Sequence, residues 1–94
     1  MGSGLFWNHS EGDKVRIHGE DVDIELFYKN IAGAQRKRSV TIEIKGAEIE
    51  EVCLDDNEPV RLASGVGIRI AGYRVACGSR IHYIVDKKYK IDFL

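Results

Sequence analysis

Residues 66–85 read VGIRIAGYRVACGSRIHYIV, and the way this stretch folds back on itself decides what kind of protein this is. Val66, Ile68 and Ile70 alternate with Gly67 and Arg69; Ile81, Tyr83 and Val85 alternate with His82 and Ile84. A period of two is the pattern of a strand with one buried face. Ala71-Gly72 and Cys77-Gly78-Ser79 break the alternation in the manner of tight turns. A two-residue turn at Ala71-Gly72 sets Ile68 opposite Val75 and Arg69 opposite Arg74. A three-residue turn over 77–79 keeps the apolar face intact, with Val75 opposite Ile81 and Arg74 opposite His82. A third turn at Asp86-Lys87-Lys88 sets His82 opposite Asp92. The expected outer face is then a row of Arg69, Arg74, His82 and Asp92.

The same alternation runs through the rest of the chain. Val15 and Ile17, then Val22, Ile24 and Leu26, then Val40, Ile42 and Ile44, and finally Tyr89, Ile91 and Phe93 each alternate with polar residues. Most are β-branched or aromatic, as strands prefer. Turn residues fall between the runs at Glu11-Gly12-Asp13, His18-Gly19-Glu20-Asp21, Lys45-Gly46-Ala47 and Asp55-Asp56-Asn57-Glu58-Pro59. No window carries a helical stripe; Ala32 to Arg38 is the only helix-friendly segment. These features predict an all-β domain spanning 1–94: a small, mostly antiparallel barrel or sandwich of about nine short strands. Residues 55–59 mark a boundary between two sub-units, 5–54 and 59–94.

Composition narrows the function classes. Ninety-four residues make one domain with a modest core. Net charge is −1 and the apolar fraction 44%, which argues for a folded chain. No apolar run approaches the roughly 18–20 residues of a membrane helix, and MGSGLFWNHSEGD lacks the layout of a secretion signal. Two cysteines, Cys53 and Cys77, are too few for a disulfide framework, so a cytoplasmic setting is expected. His9, His18 and His82 show no metal-ligand spacing, and neither cysteine sits in a Cys-x-x-Cys pair. The acidic run from Glu48 to Glu58 lacks the spacing of a calcium loop, and Gly65-Val66-Gly67 opens no helix as a phosphate loop would. Neither an enzyme nor a cofactor is expected.

Charge is uneven along the chain. Residues 1–53 hold seven Lys/Arg and ten Asp/Glu, a balance of −3; residues 54–94 hold seven and five, a balance of +2. Between 60 and 90, Asp86 is the lone acid against Arg61, Arg69, Arg74, Arg80, Lys87, Lys88 and Lys90. Arginine on a sheet face suits phosphate, which its planar fork binds through two hydrogen bonds. Tyr73 and His82 among these cations suit stacking on unpaired bases. A second basic cluster, Arg36, Lys37 and Arg38, sits in what reads as a long loop, 30–39, between two strands, where it can track a phosphate backbone. The leading expectation is a small regulator that binds RNA or another polyanion through Arg61, Arg69, Arg74, Arg80 and His82, helped by Arg36, Lys37 and Arg38. The alternative is a protein-interaction module, such as a host-factor inhibitor or an oligomerising component, sealed by its apolar ends LFW and IDFL.

The run GDKVRIHG-EDVDIELFYKNIAG…RKRSVTIEIKG…IEEVCL resembles the carbon storage regulator family of small RNA-binding proteins. The glycine-acid turn, short strand, glycine, long strand and Val-x-Ile-x-Ile strand follow in that family's order, with LFWNHS as the opening strand. PVRLASG, VGIRIAG, YRVACG, RIHYIVD and YKIDFL follow the same plan. The resemblance implies two related units that copy within one chain the intertwined homodimer the family forms. It also implies binding to GGA-containing RNA loops through arginines on the first and last strands. LFWNHS has no arginine and IEEVCL is acidic, so the first unit departs from that pattern; the second offers Arg61 and Lys90.

Overall fold

The computed structural model describes residues 3–34, 37–54, 58–71 and 79–94. Among these residues the alternating runs form nine strands: β1 Ser3–His9, β2 Lys14–His18, β3 Asp23–Ala34, β4 Lys37–Lys45, β5 Glu51–Leu54, β6 Val60–Ala63, β7 Val66–Ile70, β8 Ser79–Val85 and β9 Lys90–Phe93. Alternation in sequence becomes alternation in burial. Val15 and Ile17 of β2, Ile68 and Ile70 of β7, and Ile81, Tyr83 and Val85 of β8 are buried, while their neighbours are less so.

The strands make two antiparallel sheets, ordered β1-β8-β7-β6 and β5-β4-β3-β2-β9. No strand ladder joins one sheet to the other among the described residues, so the barrel form of the expectation is not found. The inner faces of both sheets meet in one core, in which Ile17, Ile24, Leu26 and Ile42 share a cluster with Ile68, Ile81 and Tyr83. The described residues include no helix, and thus none long and apolar enough to cross a membrane.

Several expected pairings are replaced. Ile68 has Tyr83 on one side and Val60 on the other, and Arg69 faces His82. Ile68, with a partner on each side, has no edge left for Val75, and β8 rather than an intervening strand lies beside β7; the expected pairing of Arg69 with Arg74 lies outside the described residues, as do Tyr73 and Cys77. The reason is parity. Ile68 and Ile70 keep an apolar partner whether they meet Val75 and Tyr73 or Tyr83 and Ile81, so alternation alone does not choose. The last strand, β9, pairs with β2 and not with β8: Ile17 meets Ile91 and Arg16 meets Asp92. Asp92 accordingly bonds His18 at 2.7 Å and not His82. Residues 30–34 and 37–39 form a ladder where a basic loop was expected, because β3 and β4 stay paired as far as Ala34 and Lys37 after a bulge at Tyr28/Asn30.

Candidate nucleic-acid interface

In β8, inward Ser79, Ile81, Tyr83 and Val85 force Arg80, His82 and Ile84 onto the outer face. The ladders then fix what stands beside them. Phe6 and Arg69 flank His82 from β1 and β7. Asn8 stands next to Arg80. Gly4, Ile84, Gly67 and Arg61 form the neighbouring row.

Arg80, Phe6, His82 and Arg69 make a connected column. The Arg80 guanidinium carbon lies 4.9 Å from the centre of the Phe6 ring. Phe6 stacks on His82 with centroids 4.2 Å apart and ring planes 8° apart. Arg69 Nε donates to His82 Nδ1 at 2.9 Å. Since arginine only donates, Nδ1 must accept, and the proton of the neutral imidazole sits on Nε2. Burial first, and then the Arg69 charge, hold the His82 pKa below the ordinary histidine value, which keeps the ring neutral near pH 7. Phe6 remains 43% exposed, a large apolar ring held upright among cations.

Charge separates the two sheets. On the second sheet two of the cations are answered by acids: Arg16 makes two 2.9 Å bonds to Asp23, and Lys29 lies 3.5 Å from Glu43 and 3.6 Å from Glu51. On the first sheet the outward positions of these ladders carry Arg61, Arg69 and Arg80 and no carboxylate. Among the described residues none of these three arginines takes part in an ion pair. Such a face offers guanidinium groups to phosphate and a ring to a base.

Four of the eight residues read from the sequence as anion-binding, Arg61, Arg69, Arg80 and His82, thus share one face. Lys37 and Arg38 belong to the second sheet, at the far end of the β3–β4 ladder. Arg36 and Arg74 lie outside the described residues. Phe6 was not singled out for this face; grouping it with Leu5 and Trp7 as one apolar strand hid it. Strict alternation through LFWNH separates Phe6 and Asn8 from Leu5, Trp7 and His9, and that was the available signal.

Inside the molecule a chain of polar groups ties the sheets together. His9 Nδ1 donates to Asp13 Oδ2 at 2.9 Å, Tyr83 donates to His9 Nε2 at 2.5 Å, and the Tyr28 and Tyr83 hydroxyls lie 2.5 Å apart. His9 also stacks on Tyr28 at 4.2 Å. Both tyrosines are fully buried, and burial pushes both phenols well above the ordinary tyrosine range. They stay protonated and serve as a clamp between β8 and β3. Among the described residues no three His, Cys, Asp or Glu side chains come close enough to share a metal ion. Comparison with protein-family models, curated proteins and solved structures found no match.

Proposed function

We propose that the outer face of β1, β8, β7 and β6 binds single-stranded RNA or a similar polyanion, and that the protein acts as a small, non-enzymatic regulatory module. The observation that carries this reading is the Arg80–Phe6–His82–Arg69 column on a face whose outward ladder positions hold no carboxylate. Phosphate contacts supply affinity without sequence preference, and an exposed ring adds stacking to any unpaired base. The carbon storage regulator resemblance points to the same ligand class, with Arg61 on the opening strand of the second unit. Exchange of end strands, with β1 beside β8 and β9 beside β2, suits the intertwined plan that the resemblance implies.

The test is fluorescence anisotropy with a labelled single-stranded RNA. Phe6→Ala is expected to weaken binding by about 1–3 kcal/mol, the usual value of a base on an aromatic ring. Arg69→Ala combined with Arg80→Ala is expected to weaken it further. Lys29→Ala, whose cation already faces two carboxylates, is expected to leave it unchanged. Equal affinity for all four proteins contradicts the reading.

A second reading has its own support. Leu5 and Trp7 on the edge strand β1 are 37% and 46% exposed, which suits a protein partner or a second copy. Association of that kind is driven by apolar contact and resists salt.

A further inference from the structure

One row along from His82, the same face carries an open depression of about 350 Å³. Its floor is Gly67, with Ile84 beside it on β8 and Arg61 beside it on β6. Gly65 and Asp86 close the end that lies away from Arg69. We propose that this depression receives one unpaired nucleobase carrying an exocyclic amino group, while Arg61 and Arg69 hold the phosphates beside it. The inference rests on the polyanion reading above and names what that face selects.

Gly67 is the first reason. Glycine inside a strand weakens it and often marks a place where a ligand approaches closely. The fold does not require glycine here. A Cβ at position 67 would meet Val60 O at 3.5 Å and Ile84 Cβ at 4.0 Å, ordinary contacts with room to spare. What the missing side chain provides is the depression itself. Its volume falls within the ~300–1,000 Å³ typical of small-molecule sites, and half-buried Ile84 gives a ring face an apolar surface.

Polarity is the second reason. The Asp86 carboxylate only accepts hydrogen bonds, so the edge turned toward it must donate. Cytosine, adenine and guanine offer an amino group, whereas uracil offers that edge only its N3–H, flanked by two carbonyl oxygens that the carboxylate repels. The carboxylate also repels phosphate, which directs the backbone toward Arg61 at the side and Arg69 at the other end. A duplex keeps its bases stacked and has none to offer, so the site selects single strands.

Binding of oligocytidylate, oligouridylate, an RNA duplex and inorganic polyphosphate tests this, because cytosine and uracil share ring size and differ at the amino group. The intact protein is expected to bind oligocytidylate about tenfold more tightly than oligouridylate, the discrimination of one good base contact, and to bind the duplex no better than polyphosphate. Gly67→Val is expected to fill the depression and abolish the preference without lowering the melting temperature or the affinity for polyphosphate. Asp86→Ala is expected to abolish the preference as well, while the depression stays open. Equal binding of the two oligonucleotides, or a preference that survives both substitutions, overturns the base site and leaves the charged face standing. Failure to bind any of the four polyanions overturns both.

Discussion

His9 shows how much rests on one side chain. It lies on β1, is 2% exposed, and holds Asp13 with one ring nitrogen and Tyr83 with the other. The chain of donors runs one way, from Tyr28 to Tyr83 to His9 to Asp13, so its members are unequal. Tyr83→Phe leaves His9 Nε2 and the Tyr28 hydroxyl buried without this partner, at about 1–3 kcal/mol each. Tyr28→Phe removes only the terminal hydroxyl and keeps the Tyr83–His9 bond. Urea midpoints are expected to fall several times further for Tyr83→Phe than for Tyr28→Phe; equal losses contradict the chain. Proton linkage follows from the same residue. Burial lowers the His9 pKa below 6.5 despite the opposing pull of Asp13, and His82 is lowered in the same direction. A histidine depressed in the folded state adds stability that is fully present above pH 6.5 and is lost as pH falls through its folded pKa. Urea midpoints are expected to hold level above pH 6.5 and decline below it, with a shallower decline in His82→Asn. A midpoint that rises on acidification contradicts the sign.

Among the elements, turns and strand faces were legible, and the partners of strands far apart in the chain were not. Gly12 and Gly46, read from the sequence as turn residues, both have positive φ, 94° and 91°. Their surroundings differ. A Cβ on Gly12 meets nothing within 4 Å, whereas one on Gly46 falls 2.0 Å from the Asp23 carbonyl oxygen. Gly12→Ala is expected to cost roughly 1–2 kcal/mol, the price of a left-handed backbone, and Gly46→Ala clearly more, measured by thermal or urea unfolding. Equal costs contradict the close approach of the β4–β5 connection to β3. The hairpin of β2 with β3 was legible in outline from the short turn His18-Gly19-Glu20-Asp21; the structure supplies its register, with Ile17 opposite Ile24. The partner of β9 was not, because alternation states which face of Ile91 and Phe93 is buried and says nothing of which strand lies alongside. Phe93 is explained by its neighbour across the sheets, Trp7, stacked at 4.3 Å.

For the whole molecule, the exchange of end strands makes the two sheets interdependent. β1 comes from the first half of the sequence and completes the sheet of β6, β7 and β8; β9 comes from the second half and edges the other sheet. Neither segment, 5–54 or 59–94, contains a whole sheet with its own edges. The class of fold was readable, since nearly every run has period two. The basic face was readable only in part: Arg61, Arg69, Arg80 and His82 converge through parity, although β7 lies directly beside β8, without the intervening strand that the sequence led one to expect. Phe6 escaped because its place beside His82 depends on a pairing between residues 76 apart in the chain.

On the proposed reading, the guanidinium groups of one sheet face hold phosphate. The most direct measurement is the affinity for a single-stranded RNA across a range of salt concentrations. Each phosphate neutralised contributes about −0.7 to the slope of log affinity against log salt, so Arg61, Arg69 and Arg80 together give about −2. With Arg69→Ala and Arg80→Ala combined, the slope is expected to fall to about −0.7. A slope near zero in the intact protein, or one that the two substitutions leave unchanged, contradicts the account.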